Sequence, residues 1–204
     1  MEKSSAVSGK LQITNHEFYS DKLKSLSSYR EIPRDGNCMY LSISIKILEF
    51  FRSKKDQIYK WETFTTSLKS YCTKLNIEEF VYIDNLETFS DLINNNTKIE
   101  DIDLYTWYEI LYIFRLAIST HMRLNSEEYQ PYIVDMSVEK YCKNCIEPLF
   151  MEAGYIEIGA LVNIMPINVK MYDTTEESNK YRIYGENEEF IEILHTPNHF
   201  EPVY

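Results

Sequence analysis

Two short stretches at opposite ends of the chain hold residue types that together could carry out nucleophilic acyl chemistry. Asp35-Gly36-Asn37-Cys38 supplies a thiol, and Asn198-His199-Phe200-Glu201 supplies an imidazole with a carboxylate two residues on. A thiol attacks a carbonyl as its thiolate, so it needs a base or an electropositive surrounding. A helix opening at Cys38 would offer unpaired N–H groups and the positive end of the helix dipole. The Gly-containing loop of Asp35, Gly36 and Asn37 could aim further N–H groups where an oxyanion forms. On a strand, His199 and Glu201 would share one face. The carboxylate could then accept the Nδ1 proton, fix the tautomer and leave Nε2 facing the thiol. Taken singly, a cysteine at a helix start is usually a small buried hydrophobe and a His–Glu pair on a terminal strand a surface pair. Only the combination argues for chemistry.

The surrounding sequence supplies elements able to hold both groups. After the polar stretch 33–37, the chain turns apolar through Met39, Tyr40, Leu41, Ile43, Ile45, Ile47, Leu48, Phe50 and Phe51. Positions 38, 41, 45 and 48 fall on one helical face and 40, 43, 47 and 51 on another, which predicts a helix buried on most sides. Phe190–Leu194 and Phe200–Tyr204 flank His195-Thr196-Pro197-Asn198 and predict two strands joined by a turn. Further helices are predicted over Ile58–Leu75, Glu78–Leu92, Leu104–Leu124 and Ile156–Met165, and strands over 167–171 and 181–184. His16–Tyr29 reads as a short amphipathic helix on Phe18, Leu23 and Leu26, and residues 1–14 as a loose polar segment. The pattern is helical for two-thirds and strand-rich at the end, with 15–204 as one domain.

Asp35-Gly36-Asn37-Cys38 followed by Tyr40 resembles the nucleophile motif of the ovarian-tumour-domain (OTU) cysteine proteases, and within them the otubains. Tyr141-Cys142-Lys143 through Leu149, Tyr155–Leu161 through Ile167–Asp173, and Asn198–Tyr204 resemble further otubain segments in the same order. The resemblance implies a papain-like α+β fold, with a helical subdomain on a small C-terminal sheet and the cysteine at the start of a central helix. It implies a deubiquitinase: Cys38 as nucleophile, His199 as base, Glu201 as orienting acid, and the Asp35–Cys38 backbone as oxyanion hole, with no metal or organic cofactor. Ubiquitin or polyubiquitin would be the partner, and a ubiquitin-conjugating enzyme another. Related alternatives are a conjugating-enzyme-binding regulator and a protease for a ubiquitin-like modifier. The family usually has Asp where Glu201 stands, and commonly Phe and Arg where Met39 and Leu41 stand. Tyr40 and Phe200 are candidates to line the slot for an extended glycine-rich tail.

Composition agrees with this reading. The chain has 204 residues, 44% hydrophobic, and a formal net charge of -11, which opposes nucleic-acid binding and suits a basic partner. The first residues lack an apolar signal region and no run approaches a membrane span, which predicts a cytoplasmic or nuclear protein. Four cysteines make no secreted disulfide framework. Cys142 and Cys145 have CxxC spacing but no second ligand pair, and with Val138, Tyr141 and Leu149 they make a helical stripe, so they are read as core residues. His16, His121 and His195 show no partner pattern comparable with that of His199.

Overall fold

The computed structural model describes residues 7–175 and 181–204. Two short strands, β1 (Leu11–Gln12) and β2 (Ser28–Tyr29), precede α1 (Cys38–Ser53), α2 (Ile58–Lys74), α3 (Ile83–Asn94) and α4 (Leu104–Leu124). The short α5 (Ser126–Tyr129) and α6 (Val138–Tyr141) and a π turn at Cys142–Ile146 lead to α7 (Tyr155–Val162). Strands β3 (Asn168–Asp173), β4 (Tyr181–Tyr184), β5 (Phe190–Thr196) and β6 (His199–Pro202) follow. The last four form a mixed sheet in the order β4-β3-β5-β6, with β3 and β5 parallel and the other two pairs antiparallel. This is an α+β arrangement of helices against a small C-terminal sheet.

The two long helices at the centre form where the apolar period predicts them. α1 buries every residue from Cys38 to Ile45 and then Ile47, Leu48, Phe50 and Phe51. One of its buried hydroxyls is accommodated locally: Ser44 Oγ donates to the Tyr40 carbonyl at 2.8 Å. α4 begins at Asp103, whose carboxylate accepts the Thr106 N–H at 3.1 Å, a side-chain cap for an otherwise unpaired donor. Truncating a side chain such as Leu48 or Phe114, both buried to within 1%, would cost about 2–5 kcal/mol.

The N-terminal segment differs from the sequence expectation. Residues 1–6 lie outside the described residues, but 7–14 are tied down rather than loose. Val7 and Ile13 are buried, the Ser8 N–H bonds the Glu31 carbonyl at 3.0 Å, and β1 pairs with β2. Nor does His16–Tyr29 form one helix: it holds a single 3-10 turn at Asp21–Leu23 and then enters β2. Leu23 and Leu26 are buried, as an apolar face requires, but their partners are long-range. Ile13, Leu23, Leu26 and Tyr29 pack with Tyr172, Leu194 and Val203 in a second core. The Arg30 N–H reaches the Pro202 carbonyl at 3.1 Å, and Tyr204 and Ser28 exchange backbone bonds at 2.9 and 3.3 Å. The N-terminal segment thus lies beside the end of β6.

Candidate active site

Cys38 is the first residue of α1, and the loop before it is held by side chains rather than by a conventional cap. The Asp35 carboxylate accepts the Asn37 N–H at 3.0 Å through Oδ1 and the Tyr108 hydroxyl at 2.7 Å through Oδ2. Gly36 has φ +82°, and a Cβ there would stand 2.3 Å from the Phe150 carbonyl oxygen, so both the turn and the approach of segment 150 require glycine. Asn37 is fully buried; its Oδ1 accepts from Arg115 Nη2 at 2.8 Å and from the Phe150 N–H at 2.9 Å. Arg115 also donates to the carbonyls of Ile146 and Met151 at 2.8 and 3.0 Å, and its guanidinium lies 3.9 Å from the centre of the Tyr40 ring. One buried cation on α4 therefore ties the loop to segment 146–151.

The thiol faces the last strand. Burial pushes the Cys38 thiol above its ordinary value, while the nearby backbone N–H groups of Phe200 and Met39 act in the opposite direction. The charges of Asp35 and Glu152 add to the upward shift, so the helix terminus does not by itself yield the thiolate that the sequence suggests. α1 packs directly against β6 and the N–H of Phe200 lies near the sulfur, so the start of α1 and the His199 end of β6 come together at one place.

His199 and Glu201 share a face of β6, as their spacing requires, and both are buried. The imidazole is turned opposite to the sequence expectation. Nε2 lies 3.6 Å from Glu201 Oε1, and Nδ1 is the nitrogen left buried without a partner among the described residues. The carboxylate of Glu201 thus meets the ring on its Nε2 side and not at Nδ1. The other carboxylate oxygen, Oε2, lies 2.5 Å from Nε2 of His16. Burial works against ionisation of Glu201, but the two imidazoles outweigh it and take its pKa down to about 2.

Nearly the whole of this chain, residues 2–204, matches the family model Peptidase C65 Otubain. The chain belongs to the Peptidase C65 Otubain family. Among its relatives, a Caenorhabditis elegans protein named ubiquitin thioesterase otubain-like is 26% identical, covering 86% of this chain and 68% of its own. The Homo sapiens ubiquitin thioesterase OTUB1 is 24% identical over 91% of this chain and 75% of its own. The solved structure of a complex of ceOTUB1, ubiquitin aldehyde and UBC13~Ub superposes with a TM-score of 0.81 at 23% identity, covering 98% of this chain and 93% of that one. That likeness establishes an otubain fold.

Other residues of this otubain stand where the sequence did not put them. Tyr40, a candidate slot residue, is 1% exposed beneath Arg115 and cannot touch a ligand; an aromatic two positions into a helix buried on all sides turns inward. Phe200 is 6% exposed and stacks on His195 at 4.5 Å. His195 pairs across the hairpin with Phe200, whereas His199 pairs with Thr196; cross-strand partners share a face, so the two histidines lie on opposite faces of the sheet. Cys142 is fully buried in the π turn and Cys145 half-buried. Among the described residues no group of three or more His, Cys, Asp or Glu side chains is placed to hold a metal ion. Sequence reasoning misses His16 and Arg115. Arg115 interrupts the apolar stripe of α4 in the sequence, the one available signal of a buried charge; His16 carries none.

Proposed function

We propose that this otubain is a deubiquitinating cysteine isopeptidase, acting through Cys38, His199 and Glu201 on the bond between a ubiquitin C-terminal glycine and a lysine amine. The observation that carries this reading is the packing of α1 against β6, which brings the Phe200 N–H near the Cys38 sulfur beside a buried histidine whose Nδ1 has no partner among the described residues. Nδ1 takes the thiol proton as the sulfur attacks the glycine carbonyl. Glu201, ionised and buried against Nε2, stabilises the imidazolium that results; the 3.6 Å gap closes to a hydrogen bond when substrate orders the site. Free N–H groups of the Asp35–Cys38 loop bind the oxyanion; that of Asn37 is already committed to Asp35 and is not one of them. Protonated His199 then gives its proton to the leaving amine, and water hydrolyses the thioester. The names of the relatives as ubiquitin thioesterases, and the ubiquitin aldehyde in the similar ceOTUB1 complex, support the substrate class. A ubiquitin-tail electrophile should label wild type at Cys38 and not Cys38→Ala; cleavage of a panel of diubiquitins by wild type alone would complete the test. Absence of both labelling and cleavage would refute the activity.

Similar solved complexes that include UBC13~Ub and UBCH5B~Ub favour a second reading, as a protein that binds ubiquitin-charged conjugating enzymes. Under that reading Cys38→Ala would retain the full inhibition of ubiquitin transfer by such an enzyme.

A further inference from the structure

We propose that His16 is a positioning residue of this site: it donates its Nε2–H to Oε2 of Glu201 and thereby fixes the carboxylate against His199. The inference rests on the isopeptidase reading above and extends its triad by one neutral histidine.

The geometry determines the tautomer. The backbone N–H of Phe18 points at Nδ1 of His16 at 3.1 Å. An N–H can only donate, so Nδ1 is the bare nitrogen and the ring proton sits on Nε2, 2.5 Å from Glu201 Oε2. The ring itself is clamped, 6% exposed and edge-on to Tyr29 with centroids 4.7 Å apart. The titratable groups facing it are Glu201, with His199 beyond, from β6, and Tyr29 from β2.

Three consequences follow from the chemistry. A buried carboxylate must have both oxygens satisfied or lose its charge; His199 can reach only Oε1, and His16 supplies the partner for Oε2. A glutamate has one more rotatable bond than an aspartate, and ordering it costs additional side-chain entropy unless its second oxygen is anchored. The anchor must also leave the negative charge in place, since that charge stabilises the His199 imidazolium. A guanidinium would largely cancel it, whereas a neutral imidazole orients the carboxylate and leaves its charge intact.

The test is a double-mutant cycle between His16→Phe, which keeps a ring but removes the donor, and Glu201→Gln. On a fluorogenic amide of the ubiquitin C-terminus, His16→Phe is expected to lower kcat by about 10- to 100-fold with KM within about twofold. Its addition to Glu201→Gln should cost less than about twofold more, because the two residues act as one unit. His16→Gln, which keeps an N–H donor, should recover part of the loss. The same variants are read by the rate at which iodoacetamide alkylates Cys38, followed on its own peptide, which requires no ubiquitin substrate. If wild type turns over no ubiquitin amide, the activity fails but the alkylation cycle still decides the role of His16. A wild-type rate in His16→Phe, or losses that multiply with those of Glu201→Gln, would overturn the proposal. Should His16→Phe not fold, His16→Gln replaces it in the cycle, and ring ¹⁵N shifts of the wild type decide as well: a proton on Nδ1 of His16 rather than Nε2 at neutral pH sinks the idea.

Discussion

The hairpin of β5 and β6 carries two histidine–carboxylate clusters, one on each face, and they are built differently. On one face Glu201 sits between His199 and His16, is 3% exposed, and has only imidazoles as its described side-chain partners. On the other, Asp173 lies 3.3 Å from His195 Nδ1, but its oxygens also accept from the Thr175 N–H at 2.8 Å, the Thr175 hydroxyl at 2.6 Å and the Tyr155 hydroxyl at 3.0 Å. Burial opposes the charge of Asp173, and the Thr175 bonds and then His195 more than offset it, so its pKa is lowered. Asp173 is satisfied without its histidine; Glu201 is not. A histidine becomes part of a proton-handling unit when its carboxylate depends on it and its other nitrogen is left free. His199 meets both conditions, whereas Nδ1 of His195 is shared between Asp173 and Tyr155.

Substituting the two histidines should separate the clusters most sharply. His199→Ala should reduce kcat on a ubiquitin amide by about 10⁴-fold or more, and His195→Ala by less than about threefold; equal losses would erase the distinction drawn between the faces. The carboxylates come next. Glu201→Gln should cost about 10²–10⁴-fold in kcat with little change in ubiquitin affinity, while Asp173→Asn should leave kcat within a few-fold and appear mainly as a lower Tm. A third variant acts on the support of the thiol: Asn37→Ala leaves Arg115 and the Phe150 N–H each short of an acceptor. It should lower stability by about 2–3 kcal/mol in urea unfolding, and an unchanged midpoint would show that the loop does not depend on this anchor.

The smallest expected effect is on acid stability. Glu201 has its pKa held at about 2 in the folded chain against an ordinary 4.5. A depressed carboxyl contributes stability that is fully present above its unfolded pKa and is lost as pH falls through the folded one. Unfolding free energy should therefore decline from about pH 4.5 towards pH 2, and more gently in Glu201→Gln than in wild type. A parallel decline in the two proteins would show that the imidazoles do not hold this carboxyl down.

The helices that carry the site are legible because local period and burial agree. α4 matches its predicted limits, Leu104–Leu124, and α1 opens at Cys38, where a polar loop meets an apolar run. The spacing of His199 and Glu201 likewise settles their common face, since alternation is a property of any strand. The segment 16–29 misleads because its apolar residues suit a helix only by rough spacing, and their actual partners, Tyr172, Leu194 and Val203, lie far away in sequence. The same distance hides His16, 185 residues from the carboxylate it touches.

The sequence by itself determined which residue types are available, where α1 begins and which face His199 and Glu201 share, because helix and strand periods act over a few residues. Only the tertiary structure decided which imidazole nitrogen meets the carboxylate, that a second histidine holds it, and that Arg115 anchors the loop before the thiol. Those choices depend on which groups burial brings together and which of them would otherwise lack a hydrogen-bond partner, and no local pattern records that.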